Sequence, residues 1–127
     1  MSWRWIDRRL LILLHDESLA MHGGSSGLRD AGLLDSALAR PQNLAAYGEP
    51  GLVELAACYA SGLAQSHPFV DGNKRAAFLA VGLFLGLNGW RLTASQAEAT
   101  VAMAELAAGE WDEATFATWL RDRIARR

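Results

Sequence analysis

Residues 67–75 read His-Pro-Phe-Val-Asp-Gly-Asn-Lys-Arg, and a long, nearly unbroken apolar stretch follows at once. The residue types suit the handling of a polyphosphate. Pro68 fixes its own φ and steers His67 toward an extended conformation, outside the coming helix. Asp71, Gly72 and Asn73 are turn residues, and Asp71 is the expected N-cap of a helix from about Gly72 to Asn88. The mouth of that helix offers free backbone N–H groups and the positive end of a dipole. Gly72 admits a ligand close to the backbone, and Lys74 and Arg75 add cationic side chains, so a phosphate is the expected occupant. Asp71 would repel a bare phosphate but suits Mg²⁺, a hard cation that bridges carboxylate and phosphate oxygens. His67 is then the nearby group able to take a proton close to neutral pH.

The rest of the chain must position that segment, and its patterning is helical. Ile6, Leu10, Leu11, Leu13 and Leu14 mark a largely buried helix over Ile6–Met21. Asp30 caps a second helix, Ala31–Ala39, which Arg40-Pro41 is expected to close, leaving a loop from Pro41 to Gly51. Leu52, Leu55, Ala56, Tyr59 and Leu63 place a third helix over Gly51–Gln65, and the motif helix stops at Asn88-Gly89. Trp90–Leu92 is a short extended piece. Thr93 to Gln96 reads as a capping box for a helix over Ala94–Ala108, stopped by Gly109. Asp112 caps a last helix with Phe116, Trp119, Leu120 and Ile124 on its inner face. No repeat, low-complexity tract or linker interrupts the pattern, which predicts one compact all-α domain over residues 1–127.

Composition narrows the function further. A net charge of −2 with dispersed basic residues argues against nucleic acid as a direct partner. The apolar run Ala76–Leu87 is too short to cross a membrane and carries Gly82 and Gly86. The opening MSWRWIDRRL has charges where a signal peptide needs apolar residues, so a cytoplasmic location is expected. The single cysteine, Cys58, fits a reducing compartment and reads as a small buried apolar residue.

HPFVDGNKR resembles the Fic/Doc signature HPFx(D/E)GN(G/K)R. His22-Gly23-Gly24, Gly27-Leu28-Arg29-Asp30, Gly32-Leu33-Leu34 and Asn88-Gly89 also fall as they do in Doc-type toxins. The resemblance reaches over nearly the whole chain. It implies about six helices around a buried central helix, with a short target-docking flap over Pro41–Gly51 to which Asn43 and Tyr47 would contribute. It also implies roles: His67 as base toward a target hydroxyl, Asp71 as Mg²⁺ ligand, and Gly72, Asn73, Lys74 and Arg75 as the nucleotide-phosphate cradle. For the Asn73 side chain, a local backbone clamp is an equal alternative. Phe69 anchors the loop in the core.

Two departures from the AMP-transferring pattern bear on the reaction. Lys74 stands where most such enzymes have a second glycine, and Phe78 stands where many have a second arginine. An aromatic at 78 reads as core. In Doc-type proteins the lysine goes with a reversed nucleotide, whose terminal phosphate faces the base. The resemblance therefore implies an ATP- and Mg²⁺-dependent protein kinase that phosphorylates a threonine of elongation factor Tu and arrests translation. The alternatives are AMP transfer with the same residues, or a non-catalytic nucleotide- or partner-binding module. No glutamate has Ser or Thr four residues before it, so the internal inhibitory segment of many Fic proteins has no counterpart here. The resemblance implies instead a small, partly disordered antitoxin. His15-Asp16 and Arg29-Asp30 match the Doc pattern too, as supports of the site or as caps and satisfied core groups; neither pair is assigned to catalysis.

Overall fold

A computed structural model describes residues 2–127. In chain order the elements are α1 (Arg8–His22), α2 (Ala31–Tyr47), α3 (Leu52–Ser66), α4 (Asn73–Leu87), β1 (Trp90–Leu92), α5 (Gln96–Ala107), α6 (Glu113–Arg121) and β2 (Ile124–Arg126). The domain is all-α apart from the small β1–β2 pair.

The centre is α3, buried through six consecutive residues from Leu55 to Ala60 and again at Leu63 and Ala64. A helix apolar all round must be covered on every side, and α2, α4, α5 and α6 all pack against it. Alanines 56, 57, 60 and 64 of α3 and 76, 77 and 80 of α4 are buried. Such small side chains let two helix axes approach closely, which fixes the base of α4 against α3. Trp3, Trp5 and Tyr59 surround Phe84 at ring-centroid distances of 6.1, 5.9 and 5.2 Å. The backbone N–H of Ile6 donates to the Tyr59 hydroxyl, and this seals the N-terminal segment onto the core.

The expected caps at Asp30 and Asp112 are in place, accepting from the N–H groups of Leu33 and Thr115. The capping box of α5 sits two residues later than expected, between Ser95 and Glu98. Thr93 is occupied otherwise: its N–H donates to the Arg123 carbonyl and extends the strand pairing.

Two larger expectations fail. The second helix does not close at Pro41 but runs through it to Tyr47, with Pro41 buried inside. Leu34, Ala37, Leu38 and Pro41 are buried, and Ala45 packs on the core, so the apolar stripe continues at helical spacing past the proline. An interior proline costs about 3 kcal/mol, while each buried apolar side chain returns roughly 1.5–3 kcal/mol. Burial wins. The flap expected over Pro41–Gly51 is therefore reduced to a short connection after Tyr47; Asn43 lies on α2, and Tyr47, at its end, is 91% exposed. Likewise Ile124 is not on the last helix. α6 ends at Arg121, and Ile124 pairs with Leu92 in an antiparallel ladder that sets Arg126 opposite Trp90. The Arg126 guanidinium lies 4.7 Å from the Trp90 ring centroid, which rewards that register.

Candidate active site

The motif lies between the end of α3 and the first turn of α4. His67 is the C-cap of α3, at φ 53° and ψ 57°. It is the one non-glycine residue with positive φ among those described, so the extended conformation expected from Pro68 is not adopted. Left-handed backbone ends a helix well but costs a side-chain-bearing residue about 1–2 kcal/mol. Arg29 holds it there. Its Nε–H donates to the His67 carbonyl at 2.7 Å and an Nη2–H to the Ser66 carbonyl at 3.0 Å. A guanidinium thus caps two of the orphaned carbonyls at the negative end of α3.

The segment carrying Arg29 is itself bonded to the motif. The N–H groups of Arg29 and Asp30 donate to the Pro68 carbonyl at 2.8 and 3.0 Å, and Val70 N–H donates to the Gly27 carbonyl at 3.0 Å. Leu28 and Phe69 form a single antiparallel bridge. Loop 23–30 and loop 67–72 are one unit, sealed from below by buried Phe69.

Asp71 does not serve as the N-cap of α4. Gly72 takes that place at φ 71° and ψ 33°, turning the chain into the helix from a left-handed conformation. The Asp71 carboxylate accepts from Gly72 N–H through Oδ1 at 2.8 Å and from Ser25 N–H through Oδ2 at 3.1 Å. Each oxygen keeps accepting capacity. One exposed carboxylate so oriented fits Mg²⁺, which commonly takes one or two carboxylates together with phosphate oxygens and water. No group of three or more His, Cys, Asp or Glu able to hold a metal occurs among the described residues. An ion here would therefore need further ligands from a bound anion or from water.

The Asn73 side chain is the local clamp. Its Oδ1 accepts from Phe69 N–H at 3.0 Å and its Nδ2–H donates to the Phe69 carbonyl at 3.1 Å. What Asn73 offers a phosphate is its backbone N–H, in the unpaired first turn of α4. Arg75 reaches back through Nη1–H to the Gly23 carbonyl at 3.1 Å, leaving other N–H groups for an anion. Lys74 is exposed.

All six residues expected at the site, His67, Asp71, Gly72, Asn73, Lys74 and Arg75, line one open cleft of about 660 Å³. Its remaining wall was not foreseen. Val70 and Phe78 line it, together with Gln96, Ala99, Thr100, Met103 and Ala104 of α5. Phe78, read as core, is 36% exposed, because α4 leaves the face of Lys74, Phe78 and Gly82 uncovered. The signal was available: residues 74 and 78 are one helical repeat apart and must share a face. Nothing in the spacing could have brought α5 to that face, since the approach is tertiary. His15 and Arg29, left undecided from sequence, both contact the motif backbone.

Comparison with known proteins bears on the family of the chain. A sequence model of the Fic/DOC family matches residues 5–85, from the segment before α1 into the last turn of α4. Toxin Doc of Mycolicibacterium smegmatis is 48% identical over 75 residues, covering 57% of this chain and 57% of that protein. Protein kinase doc of Escherichia phage P1 is 39% identical over 87 residues, covering 68% of this chain and 69% of its own. The alignment with the mycobacterial relative thus spans little more than half of either protein. The family match ends before α5, a shorter reach than the resemblance read over nearly the whole chain. It nevertheless contains the motif and both loops of the bonded unit, together with the helices that carry them, and on that ground the chain belongs to the Fic/DOC family.

Proposed function

We propose that this protein is a Doc-type toxin that transfers the terminal phosphate of ATP to a protein hydroxyl. The observation that carries the reading is the meeting of His67, Asp71 and the first turn of α4 on one cleft, in a chain similar to a protein named as a kinase. His67 stands on the rim with its imidazole exposed, able to accept the proton of an incoming hydroxyl. The hydroxyl oxygen then bonds to the γ-phosphorus as the bond to the β–γ bridging oxygen breaks, and ADP leaves. The first-turn N–H groups of α4 and the Arg75 guanidinium would hold the phosphates electrostatically. Mg²⁺ held at Asp71 would neutralise phosphate charge during the transfer. Lys74 fills space and adds a point charge where a glycine would leave room, which supports a nucleotide seated with its terminal phosphate toward His67. The apolar wall of Phe78 and Met103 suits the less polar remainder of a nucleotide.

The target we infer is a threonine of elongation factor Tu, acted on in the cytosol with arrest of translation. Restraint would come from a small, partly disordered antitoxin bound in trans. Intact-mass spectrometry of elongation factor Tu after incubation with the protein, Mg²⁺ and ATP tests the reading. A phosphate-sized gain that disappears with His67→Ala is expected. An AMP-sized gain would keep the residue roles and reverse the nucleotide. Lys74→Gly is expected to shift the donor chemistry; an unchanged product would defeat the account of Lys74. Toxicity that survives His67→Ala would point to a binding module and overturn the kinase.

A further inference from the structure

His15 is the one buried side chain among the described residues that is polar or charged. It sits on α1, far from the motif in sequence, with its ring 4.3 Å from that of Phe69. Its Nε2 lies 2.9 Å from the backbone carbonyl of Asp71. A carbonyl only accepts, so Nε2 is the donor of that bond. Nδ1 is buried with no hydrogen-bond partner. Burying a polar ring with one nitrogen unsatisfied costs stability, and an apolar residue of similar size would fill the space without that cost. The single bond the ring makes goes to Asp71, which lines the cleft.

The next residue is shaped around the same ring. A Cβ on Gly72 would lie 2.9 Å from His15 Cε1, and Gly72 is also left-handed. Glycine is thus required twice, once by φ and once by the imidazole beneath it. Asp71 is then held from two directions: through its carbonyl by His15, and through its carboxylate by Ser25 and Gly72.

We propose that His15 is a positioning residue for the phosphate-and-metal half of the site. It fixes the 71–72 peptide from below, and so sets the direction of the Asp71 carboxylate and of the first N–H groups of α4. It touches neither nucleotide nor target. The inference rests on the nucleotide reading of the cleft for its consequence, but not for its structural content.

Two variants separate positioning from simple packing. His15→Leu fills the site without a donor, and His15→Gln restores an N–H at similar reach. Amide hydrogen exchange at Ser25 and Gly72, the two donors to Asp71, reads loop order without any ligand. Calorimetric titration with MgATP reads the consequence, and thermal unfolding reads the fold. In His15→Leu we expect exchange at those two amides to rise by about tenfold or more while α3 amides stay protected. We expect MgATP affinity to fall by about tenfold, with both effects largely reversed in His15→Gln. Unchanged exchange at Ser25 and Gly72 in His15→Leu would overturn the proposal. So would equal losses of α3 protection and loop protection, which is what a plain core residue would give. Normal MgATP affinity beside a loosened loop would overturn it too. If the wild-type protein binds no MgATP, the nucleotide reading fails instead; a loop loosened by Leu and restored by Gln would still uphold the role of His15.

Discussion

At the scale of single residues, Arg29 fixes the backbone of His67, the proposed base. The imidazole sits on the one non-glycine residue held left-handed among those described, and the restraint comes from two N–H groups of one guanidinium. Removing it frees His67 to relax toward the extended backbone that Pro68 favours. A misplacement of about 1 Å can cost on the order of 100-fold in rate. Arg29→Ala should therefore lower kcat for transfer by about 10- to 100-fold, with KM for MgATP little changed. Arg29→Lys should not rescue it, since an ammonium lacks the planar fork that spans both carbonyls. A loss confined to KM would show that Arg29 serves binding rather than the placement of the base.

Among the elements, α6 shows how a helix end couples stability to pH. The carboxyl of Asp112 is held below the usual aspartate range by hydrogen bonds from the hydroxyl and the backbone N–H of Thr115. A depressed folded-state value means that the stabilisation is present above the unfolded-state pKa, near 4. It is lost as pH falls through the folded-state value. Asp112→Asn keeps a capping oxygen but cannot titrate. Urea midpoints measured from pH 6 down to pH 2 should fall less steeply for Asp112→Asn than for the wild-type protein. Parallel curves would mean that the cap contributes nothing to acid sensitivity. The same level of organisation explains Pro41: a helix ends where its apolar stripe stops being covered, and the stripe of α2 is covered past the proline.

For the molecule as a whole, Cys58 is a reporter placed at the centre. It is 1% exposed within α3, and burial pushes its thiol up to about 11, with the nearby Glu113 carboxylate adding to the shift. Only the thiolate reacts with alkylating agents, so modification should wait for opening of the core. Iodoacetamide labelling at pH 8 should proceed at the global unfolding rate and accelerate with urea as the fold is lost; rapid labelling of folded protein would contradict this placement. The sign also follows for stability. The unfolded thiol ionises near 8.5, so stability should hold below that pH and decline as pH rises toward 11. Around the same centre, α4 divides its faces. Ala76, Ala77 and Ala80 turn inward, and Lys74 and Phe78 turn toward α5 across the cleft.

Sequence alone determined the helical class, the caps at Asp30 and Asp112 and the group from His67 to Arg75. Each rests on interactions between residues close in the chain, and local spacing encodes those directly. The tertiary structure decided everything that depends on what lies opposite. Burial of a stripe carried α2 through Pro41, against a local rule that would end it. Strand pairing with β1 drew Ile124 out of the last helix. A guanidinium from the far side of the loop held His67 left-handed where its neighbour Pro68 favours extension. Asp71 gave up the N-cap because Ser25, 46 positions earlier, offers its carboxylate a partner. Phe78 became a cleft wall because α5 stands off from that face of α4 rather than closing over it. In each case the competing energies are a few kcal/mol of local preference against contacts between distant segments, and only the folded chain brings the second term into being.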